Sequence, residues 1–169
     1  MFHLYSERAR RVIFLARAGA GARGAELIER DDLLVALLVE DQNKTSDTLS
    51  PHYRRLNIKL LAETDPPIGL GMHPPFLPTD AANALLESIR RLLPRFQPLP
   101  PSADMPISPT MGETLAAAID LREKLQSKEV TPLHLLAALL AGSHQTVQTL
   151  RDAGITKEKV IDRIRNESH

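Results

Sequence analysis

Apolar residues crowd into two short stretches of this chain, and the two stretches share a pattern. Val130–Gly142 reads VTPLHLLAALLAG and Ile28–Glu40 reads IERDDLLVALLVE. Laying Ile28 on Val130 sets an offset of 102 residues. At that offset Leu33, Leu34, Ala36, Leu37 and Leu38 fall on Leu135, Leu136, Ala138, Leu139 and Leu140. Upstream, Ser6 falls on Ser108, Ile13 on Leu115 and Ala16 on Ala118. Seven identities in gapless register, concentrated at apolar positions, point to an internal duplication.

The periodicity inside each copy is helical. After Ser6, a capping residue followed by Glu7 at the positive end of the dipole, Ala9, Val12, Ile13 and Ala16 recur at i, i+3, i+4 and i+7. Arg8, Arg10, Arg11 and Arg17 fill the other faces. They read as a solvated face or as a patch for a partner or anion. A second helix is expected over about Asp31–Glu40, with Asp31 and Asp32 in its first turn. Its wide leucine face implies that it is largely buried. Ser50-Pro51 opens a possible short helix. TDPPIGLGMHPPFLP, with five prolines and two glycines, then excludes a continuous helix or a central strand. Thr79 is expected to cap a helix with Ala82, Leu85, Leu86, Ile89, Leu92 and Leu93 inward, and its counterpart starts at Thr156, with Val160, Ile161 and Ile164 inward.

Twelve of the 13 prolines lie between positions 51 and 109, so the middle of the chain reads as connection and the ends as packed units. Pro94–Pro109 carries six of them and reads as a stiff linker. Ser108-Pro109 and Thr131-Pro132 are start signals for two further helices, the first reaching about Ser127. HQTVQTLRDAG forms a third that ends at Gly154. The resulting division is 1–95 for the first repeat, with a proline-rich insertion at about 58–78, 96–105 for the linker, and 106–169 for the second repeat.

Charge and composition narrow the function classes. The 21 basic and 21 acidic residues cancel, so no global field draws in nucleic acid or an anionic membrane. The absence of cysteine excludes disulfides, thiolate metal sites and a cysteine nucleophile. Aromatics at 4% are too few for a base-stacking platform. The apolar core of the N-terminal segment is only VIFLA before Arg17, shorter than the roughly 7 residues of a secretory h-region. No run approaches the ~18 residues of a membrane span. A cytoplasmic protein is expected.

Gly19, Gly21 and Gly24 match G-x-G-x-x-G, the outline of a dinucleotide site if VIFLA and LLVALLVED are strands. Only Ala25–Asp32 would remain for the crossover, where about a dozen residues are needed. The second copy has Leu121, Glu123 and Gln126 at the glycine positions, in an unbroken helical pattern. The glycines therefore read as a helix end, with nucleotide binding as the alternative function.

MFHLYSERARRVIFLARAGA, IERDDLLVALL, ISPTMGETLAAAIDLREK, VTPLHLLAALL and LRDAGITKEKV together resemble the duplicated N-terminal repeat domain of Clp/Hsp100 unfoldases. The resemblance covers nearly the whole chain apart from Ile58–Pro78. It implies an all-α fold: two four-helix repeats related by a pseudo-twofold and packed as one domain. It also implies a non-catalytic protein-binding module, an accessory factor, adaptor or substrate-recognition factor of a Clp ATP-dependent protease or unfoldase. The implied partners are a Clp ATPase, the Clp peptidase or client proteins.

No G-x-x-x-x-G-K-[ST] occurs, so ATP hydrolysis by that route is not expected. Some relatives bind phosphorylated arginine through an acidic residue just before the His of a Glu-His-Leu-Leu motif. Asp31 and Leu133 stand at that position, and Asp32 and His134 at the His position. With Leu133 one of the two carboxylates is gone, and a single carboxylate cannot clamp a guanidinium from both sides.

The six histidines show no H-E-x-x-H spacing, no G-x-S-x-G occurs, and the carboxylates form no convergent pair. No metal, cofactor or enzyme activity is expected. The residues singled out for partner or peptide binding are Asp31, Asp32, His134, Arg8, Arg10 and Arg11.

Overall fold

The computed structural model describes residues 2–42, 76–99 and 105–167. Among them are seven α-helices and no strand. They are α1 (Glu7–Ala22), α2 (Arg30–Asp41), α3 (Thr79–Leu92), α4 (Pro109–Lys124), α5 (Pro132–Leu140), α6 (Gln145–Asp152) and α7 (Lys157–Glu167). The Ser50-Pro51 helix and nearly all of the proline-rich insertion lie outside the described residues.

Helix starts follow the capping signals. Ser6 Oγ accepts from Ala9 N and Ser108 Oγ from Met111 N, each at 3.1 Å. The bounds of α1 and α4 coincide at the 102-residue offset. At α3 the N-cap is Pro78 rather than Thr79, and no side chain caps it.

Helix ends required correction. α4 stops at Lys124 and not at Ser127, and its pattern is not unbroken through Gln126. Gln126 is left-handed, with φ of 55°. Ser127 N donates to Arg122 O and Gln126 N to Glu123 O, the double bond of a Schellman turn. α1 ends the same way: Gly24 has φ of 75°, Ala25 N donates to Ala20 O and Gly24 N to Gly21 O. Gly24 and Gln126 are equivalent at the 102-residue offset, so the turn is common to both copies although only one uses glycine.

The two halves are tied by a reciprocal exchange of backbone hydrogen bonds. Ser6 N donates to Val130 O (2.9 Å) and Val130 N to Leu4 O (2.8 Å). Ser108 N donates to Ile28 O and Ile28 N to Pro106 O, both at 3.0 Å. Shifting either pair by 102 residues and swapping the halves generates the other. The segment before each first helix thus pairs with the segment before the other half's second helix, as two isolated parallel bridges, Tyr5 with Val130 and Ile28 with Ile107.

The core follows the apolar pattern. α2 lies on α1 within the first half, α5 on α4 and α7 within the second, and α2 and α5 meet across the seam. Buried residues of both halves form one cluster, including Leu33, Leu34, Leu38, Leu135, Leu139 and Leu140. α3 buries Ala82, Leu85, Leu86 and Ile89, whereas Leu92, expected inward, is exposed at the helix end and Leu93 is half-buried. The segment after α3 is held against the C-terminus of α1: Phe96 N donates to Arg23 O (2.7 Å) and Leu99 N to Gly21 O (2.9 Å). The described part of the expected linker is therefore docked rather than extended into solvent.

The two equivalent turns make opposite predictions. A Cβ on Gly24 would sit 2.3 Å from Gln97 O on a left-handed backbone. Gly24→Ala should therefore cost more than about 1 kcal/mol. Gln126→Gly relieves the left-handed cost and should gain up to about 1 kcal/mol. Urea denaturation of the two variants checks both signs.

Candidate functional site

The side chains expected to meet a partner divide sharply once the helices are packed. Asp32 is 3% exposed. Arg23, the C-cap of α1, holds its carboxylate from two sides, with Nε on Oδ1 at 2.8 Å and Nη2 on Oδ2 at 2.7 Å. That hydrogen bond, followed by charge attraction, raises the Arg23 pKa against the effect of burial. Asp32 Oδ2 also accepts from Glu29 N at 3.0 Å, which ties the start of α2. Asp32 is thus a joint between the end of α1 and the start of α2, with its oxygens turned inward.

His134 has the same place in the second half and does the same work with neutral chemistry. It is 1% exposed. Its Nδ1 accepts from Thr131 N at 3.0 Å, as Asp32 Oδ2 does from Glu29 N. Its Nε2 lies 3.0 Å from Ser127 Oγ. The backbone donor at Nδ1 assigns the proton to Nε2. Burial, then the charge of Arg122, lowers its pKa to about 4.

Asp31 lies at the seam. Thr146 Oγ1, from α6, donates to Asp31 Oδ1 at 2.6 Å, and His144 Nε2 stands 3.5 Å from the same oxygen. Asp31 is partly exposed, at 28% of its side chain. Burial, then Arg30, lowers the His144 pKa, and Asp31 opposes that shift. Leu133, the equivalent of Asp31, is half-buried and packs against the core.

Of the α1 arginines, two converge on one buried carboxylate. Glu40, in the last turn of α2, is 2% exposed. It accepts from Arg8 Nε and, at 2.7 Å, Arg8 Nη2, while Arg11 Nη1 lies at 3.6 Å. Arg11 is only 9% exposed, and burial lowers its pKa to about 10 despite Glu40. Arg10 points outward and is exposed. Replacing Arg10 and Arg11 together by Glu would set a carboxylate beside buried Glu40, so that pair of changes does not separate binding from stability. Sequence spacing missed Glu40 altogether: it lies 32 positions from Arg8 and reads as one more helix-end acid.

Gly19 and Gly21 lie within α1, and the segments VIFLA and LLVALLVED belong to α1 and α2. The strands that a dinucleotide site needs at those positions are helices. A cleft of about 280 Å³ opens beside Gly19, between α1, α2 and the end of α3, with Arg23, Arg90 and Arg95 among its lining residues. Among the described residues no group of three His, Cys, Asp or Glu side chains could hold a metal ion, and no helix is long and apolar enough to cross a membrane.

Two expected outcomes follow from these contacts. Asp32→Ala strands the Arg23 cation in the interior and should cost about 3–5 kcal/mol, far more than Asp31→Ala, as read by denaturant midpoint. His134 is neutral in the fold and titrates near its ordinary value of about 6.5 when unfolded. The unfolded chain therefore takes up the proton first, and stability should fall by on the order of 2–3 kcal/mol between pH 6.5 and pH 4. Melting temperature against pH should show that slope, reduced in His134→Gln.

No family model and no curated protein matches the chain. Solved structures do match across nearly its whole length. One is the N-terminal domain of the caseinolytic-protease-associated chaperone ClpD from Arabidopsis thaliana, at 18% identity and TM-score 0.58, covering 97% of this chain and 99% of that one. A second comes from a malarial protein secretion system, at 19% identity and TM-score 0.61, covering 97% and 94%. A third is the Hsp104 N-terminal domain from Candida albicans, at 16% identity and TM-score 0.58, covering 92% and 85%. At such identities the likeness is one of architecture, and the chain has the fold of a Clp/Hsp100 N-terminal domain.

Proposed function

We propose that this chain is a non-catalytic protein-binding module, an accessory, adaptor or substrate-recognition factor serving a Clp ATP-dependent protease or unfoldase in the cytoplasm. The observation that carries the reading is the match in fold over 97% of this chain and 99% of the N-terminal domain of a caseinolytic-protease-associated chaperone. The distribution of polar groups agrees with it. Asp32, Glu40 and His134 are spent on interior contacts that hold helices together. What faces outward includes Arg10 on α1, Leu92 at the end of α3 and Phe96 in the segment after it. Exposed charged and large apolar groups of this kind suit recognition of another polypeptide. Asp31, partly exposed where the two halves meet, marks a second contact region.

The partners in this reading are a Clp ATPase, the Clp peptidase or their clients rather than nucleic acid or a membrane, since the zero net charge gives no global field that would attract either. Affinity capture of the host's Clp ATPases and peptidase on the immobilised chain tests it. At least one should be retained, and Arg10→Glu should weaken retention while the chain stays folded, as read by circular dichroism. Retention of no Clp component would remove the assignment and leave the fold standing.

A further inference from the structure

Gly19 has no structural reason to be glycine. It lies inside α1, where glycine is less favourable than any residue but proline. Its backbone is ordinary helix, and an added Cβ would meet no atom within 4 Å. Arg23, one turn further on, holds Asp32 at the floor of the same region. In the second half the equivalents of Gly19 and Arg23 are Leu121 and Leu125, and both pack against the core. The cleft of about 280 Å³ opens beside Gly19, the position where the second half carries a leucine packed against the core.

The lining of the cleft has two kinds of surface. Leu15, Val35, Val39 and Leu93 are its large apolar residues, and its charged residues are the paired Arg23 and Asp32 together with Arg90 and Arg95. Neither arginine has an ion-pair or hydrogen-bond partner among the described residues, whereas the neighbouring Arg91 takes Glu87. Arg23 is already neutralised by Asp32, so among the described residues the cleft carries two positive charges without a paired carboxylate. The two also work against each other: burial, then Arg95, disfavours the Arg90 cation. One anion between them would relieve both.

We propose that this cleft captures the carboxyl-terminal residue of a polypeptide, with its apolar side chain against Leu15, Val35 and Val39 and its carboxylate on Arg90 and Arg95. A chain end presents an apolar group and a carboxylate on one residue, which the small volume demands. A nucleotide would need more room and an aromatic or planar wall, and no aromatic side chain lines the cleft. Inorganic phosphate would leave the apolar walls uncovered. The inference rests on the reading of the chain as a protein-binding module and names the group it takes. With Leu121 in place of Gly19, the second half is expected to offer no equivalent site.

The test is fluorescence polarisation on the full chain with a short labelled Gly/Ser peptide ending in leucine. The free acid should bind with one site, and its C-terminal amide should bind weaker by about tenfold or more. Arg90→Gln with Arg95→Gln should reduce binding of the free acid by a similar factor. Gly19→Leu should fill the cleft and abolish binding while raising the melting temperature, so loss of fold does not confuse the result. Equal binding of acid and amide, undiminished binding by folded Gly19→Leu, or displacement by inorganic phosphate as readily as by the free acid would overturn the proposal. If no peptide binds while a Clp component is still captured, the cleft assignment alone falls.

Discussion

Two helices too apolar to face water hold this molecule together. In α2 every residue from Asp32 to Glu40 is buried except Val35, and in α5 every residue from His134 to Leu140. A helix packed on a single neighbour buries one stripe, and these bury nearly their whole circumference. Their own half covers part of it, and the other half must cover the rest. Each buried leucine is worth roughly 1.5–3 kcal/mol relative to exposure, so the seam between the halves is as much a part of the core as either interior. The reciprocal backbone pairs at Tyr5–Val130 and Ile28–Ile107 then set the register in which the halves meet.

That burial dictates the fate of every polar group in the two helices. A charge drawn into such an interior must find a partner of good geometry. Asp32 finds Arg23, Glu40 finds Arg8 and Arg11, and His134, held neutral, finds Thr131 and Ser127. The same geometric problem is solved in each half with different chemistry: an ion pair at the α1–α2 joint, and a neutral imidazole at the α4–α5 joint. The left-handed turn after the first helix is likewise met by Gly24 in one copy and by Gln126 in the other. Positions that correspond at the 102-residue offset need not present one surface. Gly19 against Leu121 shows the divergence most plainly, since one borders an open cleft and the other packs against the core.

The starts of the described helices, most of their inward faces and the 102-residue correspondence of α1 with α4 were legible in the sequence alone. Apolar spacing and capping residues act over three or four positions, and the helix starts at Glu7 and Pro109 follow directly from Ser6 and Ser108. The all-α class and the helical reading of the glycine-rich segment belong to the same kind of information. Leu92 and the end of α4 were misjudged because periodicity does not report where a helix stops lying on the core.

The roles of the charged residues were decided only by tertiary structure. Arg10 and Arg11 are neighbours in the chain, yet one is exposed and the other lies beside Glu40, at a position nearly thirty residues away in α2. Asp31 meets Thr146 across 115 positions. The physical reason is range. The hydrophobic pattern along a helix records burial locally, residue by residue, whereas the partner of a charge depends on which two helices pack and how far each is rotated, and no local spacing encodes that.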